Sequence, residues 1–250
     1  ERYLEIEEII QEDQVPVSLP KFQVSNMDEI EDAALELRRL WNLGDDAIEN
    51  LMELLEDQQI KVGLVDGFDD FDACTFQAGE SPVIVTKMGQ PGDRQRFNLA
   101  HELGHLVLEV GQDIKVEKAA HRFAGAFLVP AETARRELGE RRSNLDFSEL
   151  YLLKHKYGLS MQAWVSRARD LDIIDENNAE RLFRAFSAKG WRKNEPGDAL
   201  ISEKPLRMQR LIFRAYAEDL ISHTRAEELL GTALDPVWAV KALKNDVAAT

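Results

Sequence analysis

A single cysteine, Cys74, occurs in 250 residues. One thiol excludes an internal disulfide framework and fits a reducing compartment, the cytoplasm. Cys74 itself reads as a small core or strand residue, with an inhibitory thiolate on a metal as the alternative. No apolar run approaches the roughly 20 residues of a membrane span, and the amino end has no signal-peptide pattern. Positive charge is scarce as well: 31 Lys and Arg face 46 Asp and Glu, a formal net charge of −15. Such a balance excludes strong nonspecific affinity for nucleic acid, which it repels. The chain begins at Glu1 rather than methionine, so it reads as a fragment or processed product. What is present, 44% hydrophobic and 31% charged residues, is the composition of a soluble globular protein. The length allows one sizeable core or two smaller ones.

The chemistry is concentrated in His101-Glu102-Leu103-Gly104-His105. The flanking Arg96-Phe97-Asn98-Leu99-Ala100 and Leu106-Val107-Leu108 contain no helix breaker. On a helix, positions i and i+4 share a face, so both imidazoles can grip one metal ion while Glu102 reaches a water on it. Five residues alone recur by accident, and two histidines on a solvated helix face is the alternative. A second block lends support. Residues 117–129 read as a helix ended by Pro130, with Ala120, Phe123, Ala124, Phe127 and Leu128 at helical spacing on a buried face. Glu117 stands one turn before His121, and Gly111 and Asp113 in the intervening link let this helix fold back on the first. Two histidines and a glutamate with one open position is a known zinc arrangement, which makes Glu117 the third ligand. The alternative for Glu117 is a first-turn carboxylate complementing the helix dipole.

Elsewhere the pattern is that of an α+β chain. Residues 1–13 read as a short acidic helix, followed by a Pro16–Pro20 linker. Asn26 with Glu29 is a helix start of capping-box type. Ile30, Ala33, Ala34, Leu37 and Trp41 mark an amphipathic helix ending near Gly44, and Ile48, Leu51, Met52 and Leu55 mark the next. Ile60-Val62-Leu64, residues 71–75 and Val83-Ile84-Val85 read as strands of one mixed or antiparallel sheet. The acidic turn 66–70 lacks EF-hand spacing and reads as a solvated hairpin. After Val85 no strand signal remains. Asp146 with Glu149 and Thr224 with Glu227 are further capping boxes, and the last helix ends at Gly231. The expected organisation is an amino-terminal helix and linker over 1–26, a minimal zincin domain over 27–140 and an all-helical domain over 141–250. Helix 147–157, the Gly158-Leu159-Ser160 turn and helix 161–171 have the outline of a helix-turn-helix. Lys154, Lys156, Arg167 and Arg169 make it only mildly basic, so packing against the zincin domain or gripping a protein is favoured over DNA contact.

The sequence resembles the ImmA/IrrE metallopeptidases, bacterial regulators often fused to an amino-terminal helix-turn-helix. The resemblance rests on Arg96–His105 against that family's R-F-T-L-A-H-E-L-G-H, and on Glu117-x-x-Ala120-x-x-Phe123-Ala124 running to Leu128-Val129-Pro130. It spans about residues 27–175 and, more loosely, 189–196. It implies His101, His105 and Glu117 as zinc ligands, Glu102 as general base, and a DNA-binding module preceding Glu1. His121 stands where the family usually has asparagine; it is a candidate to orient a ligand from behind, or to bind the metal itself. The resemblance further implies a cytoplasmic zinc endopeptidase whose substrate is a helix-turn-helix repressor, cleaved to switch on stress or mobile-element genes. The other reading is a non-catalytic zincin-fold module, an antitoxin or regulatory partner holding its cognate toxin. Retention of Glu102 favours catalysis, since a pure binder is free to lose it. The oxyanion stabiliser is unassigned, with His121 and Arg122 as candidates by proximity alone. No membrane association and no strong nucleic-acid binding are expected.

Overall fold

A computed structural model describes residues 2–11, 18–67 and 70–234. The expected Pro16–Pro20 linker and the 66–70 turn therefore lie partly outside the described residues. The chain divides into two compact units, Val17–Lys204 and a smaller one made of Glu1–Pro16 with Pro205–Thr250. Among the described residues no helix is long and apolar enough to cross a membrane.

The larger unit contains β1 (Phe22–Val24), α2 (Met27–Leu40), α3 (Leu51–Asp57), β2 (Lys61–Val65), β3 (Ala73–Ala78) and β4 (Ser81–Lys87). It continues with α4 (Gly92–Val107), β5 (Leu108–Val110), α5 (Val116–Leu128), α6 (Ala131–Leu138), α7 (Phe147–Tyr157), α8 (Met161–Asp170) and α9 (Glu176–Ala188). Helix α2 starts as its sequence dictates. The Asn26 side chain accepts from the Asp28 and Glu29 amides, both at 3.0 Å. Glu29 reaches back to the Ser25 amide at 2.6 Å, a reciprocal cap. Strands β2, β4 and β3 lie side by side in that order. The β2–β4 pair is parallel, with Val62 opposite Ile84; β3 and β4 form an antiparallel hairpin, with Thr75 opposite Ile84. The sheet is mixed, and α4 packs on it through β3 and β4.

Two strands escape the sequence pattern. β1 and β5 pair in parallel, Phe22 to Leu108 and Val24 to Val110. The expectation of no strand after Val85 is thereby corrected: β5 is three residues long, too short for alternation to register. The division drawn at residue 140 also differs from what forms. One hydrophobic core runs from Val24 through Leu99 and Phe123 to Leu150, Trp164 and Phe186. Sequence periodicity shows that α7, α8 and α9 each have an apolar face, not which surface covers it.

In the smaller unit, α1 (Arg2–Ile10) joins α10 (Arg207–Ala217) and α11 (His223–Leu230) around Ile6, Leu211, Ile212, Ala215 and Leu229. Glu7 pairs with Arg207 at 2.8 Å, and Glu5 with Arg225. Helix α1 thus shares a core with the carboxy-terminal helices, where the sequence suggested a lone helix and linker. The α11 cap is Ser222, whose hydroxyl accepts from the Arg225 amide at 3.2 Å, not the Thr224 expected. Gly231 ends it with φ +71°.

The amino end of α4 has no side-chain cap. The strap at 200–203 supplies one instead. The Gly92 amide donates to the Leu200 carbonyl at 2.8 Å, and a Cβ on Gly92 would overlap the Ile201 carbonyl. Glu203 ion-pairs with Arg96 of α4, both side chains nearly buried, and accepts from the Met52 amide at 2.8 Å. Arg96 also donates to the Ile48 carbonyl at 2.6 Å. Removing the carboxylate would leave a buried guanidinium without its counter-charge, which costs about 3 kcal/mol. Glu203→Ala is expected to lower unfolding free energy by that order in urea, and Glu203→Gln by less. A loss below about 0.5 kcal/mol for the alanine variant would contradict the clamp.

Candidate metal centre

His101 and His105 lie one turn apart on a partly buried face of α4, and their Nε2 atoms are 3.1 Å apart. From α5, Glu117 brings one carboxylate oxygen to 3.2 Å from His101 Nε2 and the other to 3.5 Å from His105 Nε2. Three ligands about 2.0–2.1 Å from a zinc ion in tetrahedral arrangement stand about 3.3 Å from one another. The three observed separations bracket that value, so the donor set fits the ion. Glu102 is also within 4.8 Å of both histidines. Among the described residues, however, only Glu117 is within ion-pair distance of the rings.

Electrostatics agree with geometry. Burial, then the neighbouring His121 and His105, push His101 down to about 4, so it is neutral with a lone pair free for a metal. Burial, and after it the Glu117 carboxylate, pushes Glu102 up to about 7, the range in which a general base works best near neutral pH. His101 Nδ1 is buried and makes no hydrogen bond, although ligating imidazoles ordinarily donate there.

His121 lies one turn along α5 from Glu117. Its ring faces that of His101 at 4.5 Å, tilted 51°, and touches Phe97 at 5.7 Å. The contact is ring against ring. Burial lowers the His121 pKa as well. Arg122 points elsewhere: it pairs with Glu31 at 2.5 Å and donates to the Asp170 carbonyl at 2.6 Å, so it is spent on structure. Cys74 is exposed on β3, a strand residue and not a core one. Burial and the Glu102 charge raise its thiol pKa, which works against an inhibitory thiolate.

Glycine within the motif sets the spacing. A Cβ on Gly104 would lie 3.1 Å from Phe123 Cδ1 and 3.2 Å from Ala120 Cα. Gly104 and Ala120 therefore let α4 and α5 approach until Glu117 reaches both imidazoles. The link between them is anchored where the Gly111 amide donates to the Val24 carbonyl at 2.9 Å.

Residues 58–169 match the family model described as IrrE N-terminal-like domain, Peptidase_M78. The matched segment is 112 residues long, a little under half of the chain. The match holds β2–β4, the motif helix α4 and the glutamate helix α5, so His101, His105 and Glu117 all lie inside the matched segment. A solved structure described as a Mycobacterium tuberculosis transcriptional regulator is similar at 15% identity with a TM-score of 0.43. The alignment covers 68% of this chain and 52% of that one, about half its length. A search of curated proteins finds no match.

Sequence reasoning left one group out. Glu195 accepts from the Met161 and Gln162 amides, both at 3.0 Å, and pairs with the buried Lys154 at 3.1 Å; Asp93 of α4 lies 3.3 Å from the same ammonium. The signal was present in residues 189–196, but only a fold shows which helix they cap. The basic residues of the helix-turn-helix-like segment are all engaged. Besides Lys154, Arg167 pairs with Glu31, Lys156 with Glu137 at 2.7 Å, and Arg169 with Asp170 at 3.2 Å.

Two outcomes follow. Gly104→Ala forces its neighbours back by a few tenths of an ångström, so it should cost about 1–2 kcal/mol in stability and weaken zinc binding in a competition titration. Unchanged zinc affinity would show that this contact does not set the site. The second concerns pH. Below its ordinary value of 4.5, Glu102 is protonated whether the chain is folded or not. As pH rises toward 7 the unfolded chain ionises first, so the raised pKa costs stability, and the cost levels off above the folded value. Chelator-treated Glu102→Gln should therefore gain on wild type between about pH 5 and pH 7.5, by roughly 2 kcal/mol. A stability gap that stays constant across that range in denaturant titrations would contradict the raised pKa.

Proposed function

We propose that this chain is a zinc-dependent endopeptidase-type regulator whose target is a helix-turn-helix repressor. The observation that carries the reading is the trio of donor atoms 3.1–3.5 Å apart, with an unpaired carboxylate beside them on α4. His101, His105 and Glu117 are the residues that hold the ion; the zincin part proposed over 27–140 supplies them, and the helices after it complete the core. The chemistry zinc lends in such a setting is acidification of a water and polarisation of the scissile carbonyl.

The protein's part is positioning and proton transfer. Glu102, raised to about 7, takes the proton of the attacking water and returns it to the leaving amine. Glu117 has a side chain 74% exposed, so the site is open to a polypeptide from solvent. Because the basic side chains of residues 147–171 are paired within the protein, this chain binds duplex DNA weakly and without sequence preference. The regulatory effect then runs through a protein partner.

Co-expression with the repressor encoded beside the gene is the test, with metal content measured on the same purified proteins. Glu102→Gln retains shape and loses the base, so it should keep one zinc per chain and yield no cut product. His105→Ala and Glu117→Ala should lose the metal, since a three-ligand site cannot spare one; His121→Ala should keep it. Full zinc in Glu117→Ala with loss in His121→Ala would move the third ligand one helical turn along α5.

A further inference from the structure

On the side of the larger unit that carries His121 there is a cleft of about 1220 Å³. It begins against Phe97, Asn98 and His121, whose ring lies 4.5 Å from that of His101, and it runs between α4 and α5 toward α8, α9 and the segment after α9. Nine Lys and Arg side chains line it against four Asp and Glu. That excess is the reverse of the chain as a whole, where carboxylates outnumber cations 46 to 31.

The four carboxylates of the lining are consumed internally. Asp93 and Glu195 hold Lys154, and Asp170 and Glu176 face Arg169 at 3.2 and 3.8 Å. Among the described residues, no acidic side chain pairs with Lys118, Arg192 or Lys193, which are exposed. Arg94 has only an exposed partner, Asp72, at 3.4 Å. Arg122 and Arg167 are held by Glu31 and Arg184 by Glu180, carboxylates outside the lining, so the charge the cleft presents is that of Lys118, Arg192, Lys193 and Arg94, and a concave wall focuses such a field.

We propose that this cleft is the docking groove for an acidic segment of the polypeptide that reaches the His101–His105–Glu117 site. The peptide identity rests on the reading given under Proposed function; the charge complementarity does not. A peptide suits the groove better than a nucleic acid for two reasons. Met27, Phe97 and Phe183 interrupt the cationic lining with apolar surface, which accepts side chains between acidic ones. A net charge of −15 repels any phosphate chain that extends beyond the groove, whereas a few local carboxylates meet only the local field.

The probe is a fluorescein-labelled dodecapeptide of repeated Glu-Leu-Asp, titrated by fluorescence anisotropy at about 0.1 M salt, with and without chelator. A Lys-Leu-Arg peptide and a single-stranded oligonucleotide of the same length serve as comparisons. The acidic peptide should bind and the basic one should not. Arg192→Glu/Lys193→Glu, far in sequence from every proposed zinc ligand, should weaken the acidic peptide about tenfold or more while keeping zinc content and helical circular dichroism. Arg39→Glu, which does not line the cleft, should leave affinity unchanged. No binding of the acidic peptide, or binding insensitive to the double reversal, overturns the proposal. So does an oligonucleotide that binds more tightly than the peptide and is lost in the same variant, since the groove would then be a nucleic-acid site. A wild-type protein that binds the acidic peptide yet retains no zinc after loading would sink the hydrolytic reading and leave the groove standing.

Discussion

The close crossing of α4 and α5 is the constraint on which the site depends. Gly104 and Ala120 offer no side chain bulkier than a methyl at the point of contact, with the Phe123 ring packed beside them. At that separation a carboxylate from the first turn of α5 spans both imidazoles of α4. The motif supplies two donors by helical periodicity alone; the third arrives only because two backbones can come this near. Ala119, Phe123, Ala124 and Phe127, all fully buried, hold α5 in that position against the core.

Buried cations do much of the remaining fastening, which is unusual for so acidic a chain. Arg38 donates to the carbonyls of Gly44, Asp46 and Phe127 at 2.8, 2.6 and 2.7 Å. Arg167 joins the Val129 carbonyl at 2.9 Å to Glu31. Arg96 and Lys154 tie α4 to the 195–203 segment. Each leaves several hydrogen-bonded partners stranded if it is removed, so these groups specify one arrangement of the helices more than they add net stability. The same expenditure explains the weak basic character of 147–171, whose charges face inward or toward their own neighbours.

Much of this was legible in the residues. Asn26, Asp146 and Gly231 announced helix ends because capping is a local, side-chain-to-backbone matter. The alternation of Ile60, Val62 and Leu64 and the apolar run Val83-Ile84-Val85 marked strands of the sheet, and the sequence named His101, His105 and Glu117, whose side chains the fold brings together. What stayed hidden was non-local. The β1–β5 pair is too short to show a period, and its partners are 86 residues apart at Gln23 and Glu109. The amphipathic faces of α7 to α9 could not reveal that they close the core of the motif helix. The pairing of α1 with α10 and α11 joins opposite ends of the chain. Lys154 looked like surface charge, and only its two carboxylate partners from distant segments explain its burial.

We propose that two imidazoles of α4 and one carboxylate of α5 form a single nitrogen- and oxygen-donor zinc site. X-ray absorption at the zinc edge of the stoichiometrically loaded protein tests it most directly. The expected spectrum shows nitrogen and oxygen neighbours at about 2.0–2.1 Å, with the multiple scattering of two imidazoles. A sulfur scatterer at about 2.3 Å, which would bring in Cys74, or the scattering of three imidazoles, which would bring in His121, would contradict it.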